Sequence, residues 1–274
     1  MQNAANPSSG NLDFSLRNPT AVRLYKLGSL AFFIGLWQVI SLINGSVRFY
    51  NPQLIPSPID IVNAAINLWN SGALAKHIWA STTRVFLGVL IAVPPAIIIG
   101  IALARSRLFE VLFEPLIELI RPIPPLAVLP VFILWFGIGE SSKLVFIAYG
   151  AFFVIMTTVM LGAASIDPVL IRASKTLGIT GWKYYRRIVF PAVSPEVFVG
   201  IRLGISAGFV VIVAAEFIAA DVGLGYMVNY ARAFFRVSDM FVGAFVIGFI
   251  GYAVNSILVM IERRLFNWRF TNER

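Results

Sequence analysis

The sequence contains no cysteine, one histidine and only 13 acidic residues among 274. Without cysteine there is no disulfide framework, no thiol nucleophile and no cysteine zinc site, and redox chemistry says nothing of the compartment. The one histidine, His77, has no ligating neighbours, so no metal site is expected. No Gly-x-x-x-x-Gly-Lys-Ser/Thr stretch occurs, so a phosphate-cradling loop would have to come from another polypeptide. Charged residues make up only 13% of the chain, against 58% hydrophobic. Too little polar surface remains to coat a water-soluble globule, which excludes a nuclease, a Rossmann dehydrogenase or a disordered tail.

What is abundant is uninterrupted apolar sequence. Six windows carry no Lys or Arg, at 27–44, 85–104, 122–139, 144–164, 203–220 and 240–261. Each is close to the roughly 20 residues a helix needs to cross the hydrocarbon core. They predict an all-α integral membrane protein with six transmembrane helices. Core helices of a soluble protein are the weaker reading, because no amphipathic helices would be left to build its outside. A signal peptide is not expected either: 26 residues precede the first window, and Ser46-Val47-Arg48-Phe49 offers no small-x-small cleavage site.

The net charge of +9 is scattered through the gaps rather than gathered on one stripe, so membrane topology explains it better than nucleic acid. Arg17, Arg23 and Lys26 precede the first window, and Arg105, Arg107 and Arg121 follow the second. Arg172, Lys175, Lys183, Arg186, Arg187 and Arg202 follow the fourth, and Arg263, Arg264, Arg269 and Arg274 the sixth. The alternate gaps hold only Arg48, Lys76, Arg84, Lys143, Arg232 and Arg236. The positive-inside rule therefore places both termini in the cytoplasm of a multi-pass cytoplasmic-membrane protein. Residues 1–20, rich in Asn, Ser and Pro, read as a flexible cytoplasmic tail, with residues 21–274 as one membrane domain. In the first external gap, Ser57 and Pro58 form a helix start. Ile59, Val62, Ile66 and Trp69 then recur at helical spacing, so this helix lies either on the membrane face or under a partner.

The longest cytoplasmic gap, 165–202, is punctuated as two short helices. Asp167-Pro168 caps and starts the first, which runs to about Leu177, and Gly178 permits the turn. Thr180 caps a second through Trp182, Tyr185, Ile188 and Val189 that ends near Pro191, and Ser194-Pro195-Glu196 repeats the cap and opens the fifth span. The expected product is a basic, partly aromatic helix-turn-helix knob. Spacing alone leaves two readings: a rigid element that receives force from a soluble partner, or a loop that merely fixes topology.

Arg172-Ala173-Ser174, Gly178, Ile188, Phe190 and Pro191 resemble the EAA loop of ABC importer permeases, at about residues 165–195. Arg172 stands where that pattern has Glu, Ser174 where it has Ala and Phe190 where it has Leu, but the spacing is intact. Arg121-Pro122-Ile123-Pro124-Pro125-Leu126, Leu129-Pro130 and Trp135-Phe136-Gly137-Ile138-Gly139-Glu140 narrow the resemblance, as do Gly200-Ile201-Arg202-Leu203-Gly204, Ala215-Glu216, Gly223-Leu224-Gly225-Tyr226 and Glu262-Arg263-Arg264. Together they are similar to permease subunits of taurine, aliphatic sulfonate, nitrate and bicarbonate importers. The resemblance implies a type I ABC permease (MetI-like) fold and an inner-membrane subunit that is not itself an enzyme. It also implies a homodimer with a second copy, two ATP-binding subunits that hold ATP and Mg and dock on the knob, and a periplasmic or lipid-anchored substrate-binding protein. No cofactor is implied in this chain. The implied cargo is a small sulfonate such as taurine, or else nitrate, bicarbonate or another small organic anion.

Ionisable and helix-breaking residues within the windows are the pathway candidates. Pro94-Pro95 and the cluster Pro122, Pro124, Pro125 and Pro130 remove backbone donors and kink helices, leaving carbonyls that can face a polar cavity but not lipid. Gly204, Ala207 and Gly208 allow close helix approach. Glu216 is the one carboxylate inside any window, a placement that costs roughly 3 kcal/mol on insertion scales. It reads either as a pathway or gate residue, or as a carboxylate tying helices together. Arg121 and Arg202, at span ends, are expected to snorkel to the interface rather than attract substrate. A secondary transporter or channel without an ATPase is the competing class. It would call for midplane coupling-ion sites in two related halves, of which the sequence gives no sign. A membrane enzyme is weaker still, with no paired acids, His cluster or activated Ser at matched depth.

Overall fold

A computed structural model describes residues 19–266. Most of the segment read as a tail, and Arg269 and Arg274, lie outside the described residues. No strand occurs among the described residues. In chain order the helices are α1 (Pro19–Val47), α2 (Pro58–Asn70), α3 (Ala73–Arg105), α4 (Arg107–Ile120), α5 (Pro125–Phe136) and α6 (Glu140–Ala164), followed by α7 (Pro168–Thr176), α8 (Gly181–Tyr184), α9 (Phe190–Ala219), α10 (Leu224–Ala233) and α11 (Val237–Leu265). A π-helical segment, Tyr185–Val189, joins α8 to α9 without a break.

Five spans are long and apolar enough to cross a membrane: Thr20–Val47, Ala73–Arg105, Glu140–Ala164, Gly181–Ala219 and Val237–Leu265. The window at 122–139 is not a straight sixth. It contains only the 12 residues of α5, and α4 and α5 form a pair bent by 97°. Pro124 and Pro125 have no N–H to bond the carbonyls of Ile120 and Arg121, so the helix cannot run through. The amphipathic α4 lies in what the sequence reads as a loop. Ser106 accepts a hydrogen bond from the Phe109 N–H and caps it.

The core is a three-helix contact among α3, α6 and α9. Val85, Val89 and Ala96 from α3 are buried against Phe146, Ile147, Ala151, Ile155 and Val159 from α6 and Ile205, Phe209 and Ile212 from α9. Small residues permit this approach. A Cβ on Gly100 would sit 2.7 Å from the carbonyl oxygen of Met156, and one on Gly204 would sit 2.7 Å from Ile155 Cγ1. Pro94 and Pro95 lie inside α3 without ending it.

The smaller helices pack around one end of this core. On α2, Ser57 and Asp60 form a capping box, with Asp60 N–H donating to Ser57 Oγ at 3.1 Å and Ser57 N–H to Asp60 Oδ2 at 2.9 Å. Ile61 turns inward to Leu74, Leu224, Met227 and Val242, whereas Ile59, Val62, Ile66 and Trp69 remain exposed. The long α1 is peripheral; its Trp37 meets Phe241 and Phe245 of α11 at ring separations of 5.7 and 6.2 Å.

The α3–α6 approach yields a stability prediction. Gly100→Ala pushes a methyl group onto backbone that cannot rotate away, which costs about 1–3 kcal/mol. It should lower the melting temperature of the detergent-solubilised protein, whereas Gly28→Ala, with nothing within 4 Å, should not. Equal melting curves would show that α3 and α6 are not in register at this contact.

Candidate functional site

The segment between α6 and α9 forms a compact knob. Asp167 Oδ1 accepts from the Val169 N–H at 2.7 Å, and Pro168 occupies the first turn, so α7 starts where a side-chain cap and a fixed φ coincide. It stops at Gly178, which has φ +66°. The Gly178 N–H donates to the Lys175 carbonyl at 3.0 Å and the Ile179 N–H to the Ser174 carbonyl at 2.9 Å, the double bond of a Schellman turn. A second left-handed glycine, Gly181, with φ +58°, follows immediately.

The predicted loop residues fall into two groups. Ser174 is buried and donates to the Ile171 carbonyl at 2.7 Å, and Ile188 is half-buried above the buried Val189. Arg172, Ala173, Gly178 and Pro191 are exposed. Around them stand Val169, Leu177 and Trp182, all bare, and the cations Lys175, Lys183, Arg186 and Arg187, also exposed.

The expectation that the second knob helix ends near Pro191 is overturned. The chain continues helically from Gly181 to Ala219. The π-segment shifts the ladder by one residue, with Phe190 N–H bonding the Tyr185 carbonyl, and Pro191 follows directly, so its missing N–H falls where the ladder already changes register. Ser194 therefore caps nothing; its hydroxyl donates to the Pro191 carbonyl. The knob is also tied sideways. Arg105, the last residue of α3, donates from Nη2 to Tyr184 Oη at 2.5 Å and lies 5.9 Å from the centre of that ring.

The opposite end of the bundle is closed by a polar network around Glu216. His77, Ser81 and Arg84 recur on one face of α3. Arg84 donates from Nε and Nη2 to the two oxygens of Glu140, both at 2.7 Å, and from Nη1 to Glu216 Oε1 at 2.8 Å and to the Val222 carbonyl at 2.5 Å. Ser81 Oγ lies 2.8 and 2.9 Å from the two Glu216 oxygens, and the Gly225 N–H donates to Oε2 at 2.8 Å. The Leu224 N–H donates to Ser81 Oγ and the Gly223 N–H to His77 Nδ1. Lys143 donates to Glu140 at 2.7 Å. Glu216 has no exposed side-chain surface, whereas Glu140 keeps 59% of its own. The network joins α3, α6, α9 and the start of α10.

Nothing in the apolar windows marks Arg84 as the partner of Glu216; the signal available was the i, i+4, i+7 spacing of His77, Ser81 and Arg84 ahead of an apolar helix. Arg202, read as a snorkelling residue, instead reaches across to α11, where Asn255 Oδ1 accepts its Nη1 at 3.2 Å and Glu262 Oε2 lies 3.3 Å from Nε.

The third group lies at the bend. Pro124 precedes α5 and is exposed, and Pro125 opens it. Pro125 and Arg121 line a cavity of about 380 Å³ against the middle of α6, apart from both the knob and the Glu216 network. The site residues thus form three places, not one.

Residues 96–271 match the family described as binding-protein-dependent transport system inner membrane component. The taurine transport system permease protein of Escherichia coli K12 is 33% identical over 247 residues, covering 88% of each chain. The putative aliphatic sulfonates transport permease protein of Bacillus subtilis 168 is 32% identical over 243 residues, covering 89% of this chain and 87% of the relative. In fold, the chain is similar to the methionine ABC transporter MetNI in inward-facing conformations, with TM-score 0.60 and 21% identity over 70% of this chain and 95% of that one. With its apolar spans, its capped knob and the family match over most of its length, this chain belongs to the binding-protein-dependent transport system inner membrane components, as a multi-pass inner-membrane permease subunit.

Proposed function

We propose that the chain is the permease of an ATP-driven importer that carries a small anion, foremost a sulfonate such as taurine, across the cytoplasmic membrane. The knob is the observation that supports this most directly. Both its turns are fixed, by the Asp167 cap and by Gly178, and its exposed surface combines apolar Val169, Leu177 and Trp182 with basic side chains. A loop needed only for topology requires neither a fixed shape nor a bare apolar face. Such a surface suits docking of a soluble ATPase, one on each of two permease copies, with ATP and Mg held by that partner. Arg172, Ala173, Gly178 and Pro191 lie on the contact side, and Ser174 and Ile188 shape it from beneath. On this reading the knob and both termini face the cytoplasm, residues 21–274 form one permease domain, and a binding protein delivers cargo at the Glu216 end. The sulfonate assignment takes its support from the taurine and sulfonate relatives; nitrate or bicarbonate would use the same machine.

Glu216 is read as a structural carboxylate. It is wholly enclosed by donors from three directions, which leaves no face toward a pathway. Pro124 and Pro125 remain pathway candidates, because they create the bend that lines a cavity.

Reconstitution with its ATPase subunits and sulfonate-loaded binding protein should give uptake that requires ATP. Uptake without those subunits would overturn this reading in favour of a secondary transporter. Gly178→Val should abolish uptake while the permease still reaches the membrane, since a β-branched residue resists φ +66°, whereas Gly178→Asn should retain most of it. Normal uptake by the valine variant would remove the turn from the mechanism. Glu216→Gln should destabilise the protein by about 1–3 kcal/mol, leave cargo preference unchanged, and cost more stability than Glu140→Gln. A change in preference would move Glu216 into the pathway.

A further inference from the structure

We propose that the groove beneath Arg121 is a transit site that receives the oxyanion head of the cargo, a deduction that rests on the anion-importer reading. The first ground is depth. The groove is lined on α6 by Tyr149, Phe153, Thr157 and Thr158. At 1.5 Å per residue, these lie about 14 to 27 Å along a helix some 37 Å long, near the middle of the span. Arg121 is exposed and lines both this groove and a second one that reaches Ala104 and Ala164 at the knob-side ends of α3 and α6, so it stands between mid-span and that end. It caps α4 at the break between α4 and α5, and Thr157 of α6 lines both grooves with it.

The second ground is the state of the charge. The guanidinium of Arg121 makes no hydrogen bond or ion pair with any described residue, whereas Arg84, Arg105, Lys143 and Arg202 are all engaged. A guanidinium without a partner beside an apolar-walled groove is open to a visiting oxyanion. The third ground is the wall. Of its hydroxyls, Tyr149 donates to the Ile123 carbonyl at 3.3 Å and Thr158 to the Val154 carbonyl at 2.8 Å, while Thr157 has no partner among the described residues and is free to donate. The rest is apolar, from Ile123, Pro125, Phe153 and Val154. A cation, one free hydroxyl and an apolar floor within about 380 Å³ fit a sulfonate or similar oxyanion on a short carbon chain. A discontinuous helix is also where backbone can line a cargo path without meeting lipid.

Arg121 also borders a second cavity of about 270 Å³, lined by Glu110, Glu114 and Glu118. These carboxylates lie toward the knob and reduce the positive potential at Arg121. The anion is therefore held weakly and can leave, as a transit site requires.

The native chain has no cysteine, so Thr157→Cys introduces a unique thiol in the groove. Its labelling rates with 2-sulfonatoethyl and 2-(trimethylammonium)ethyl methanethiosulfonate should be compared in the assembled, nucleotide-free complex. With Arg121 present the sulfonate reagent is favoured, and Arg121→Gln should shift the rate ratio at least about threefold toward the cationic one, while Arg121→Lys preserves it. In the wild-type background, Arg121→Gln should also lower anion moved per ATP at least about tenfold, with ATP hydrolysis retained. An unchanged ratio, a thiol that neither reagent reaches, or an undiminished anion-to-ATP yield overturns the site. Labelling requires neither ATP nor a known cargo. Loss of wild-type uptake with the ratio shift intact therefore condemns the importer reading, while intact uptake without the shift condemns the site.

Discussion

The buried carboxylate of Glu216 sets the conditions for everything at its end of the bundle. An unpaired charge there would be destabilising by several kcal/mol, so the fold has to bring a cation, a hydroxyl and a backbone donor to the same point. Arg84 and Ser81 come from α3, the Gly225 N–H from α10, and Glu140 from α6 through Arg84. Gly223 has to be glycine for the same reason: a Cβ at that residue would stand 2.2 Å from the carboxyl carbon of Glu216. The turn into α10, with φ +141° at Gly223, is thereby fixed by the group it encloses.

Below the network, the contact among α3, α6 and α9 depends on small residues rather than on polar pairing. Gly100 and Gly204 bring helices close enough for side chains such as Ile155 and Val159 to fill the space between them. In lipid this close packing has no hydrophobic force behind it, so dispersion and the terminal ion pair have to hold the three helices. The helices outside this triad are far barer. Leu24, Phe32 and Phe33 on α1 and Leu134 and Trp135 on α5 are exposed, as expected of surfaces facing lipid or a second copy.

The sequence made the apolar spans and the knob's first turn legible because both are local. A run without Lys or Arg announces a span, and Asp167-Pro168 and Gly178 announce a start and a stop within one short segment. At 122–139 the prolines announce a kink, but mean apolarity over a window reports neither its 97° nor the separate helix ahead of it. The cluster Pro122, Pro124 and Pro125 carried the signal, and so did α4, where Ser106 heads an amphipathic pattern with Glu110, Glu114 and Glu118 at every fourth residue. A proline at 191 ordinarily ends a helix; here its missing donor falls beside the π-turn, where the ladder changes register and the helix carries on. The Arg84–Glu216 pair spans 132 residues of sequence, and no local pattern can report it.

These contacts leave the knob with little freedom of its own. It runs into α9 through the π-segment and is held to the end of α3 by Arg105 and Tyr184, so a push on it acts on both helices together. The same two helices are bound at their far ends by Arg84 and Glu216. A load at the knob therefore cannot slide α3 against α9; it has to be taken up as common tilt, or by an element outside that frame. The α4–α5 pair is such an element. It is bent by 97°, its backbone ladder is interrupted by Pro124 and Pro125, and α5 meets the core chiefly through Leu129, Phe132 and Ile133. An interrupted helix yields at its break before a continuous one bends, which makes the bend at Arg121 the most compliant joint beside this frame.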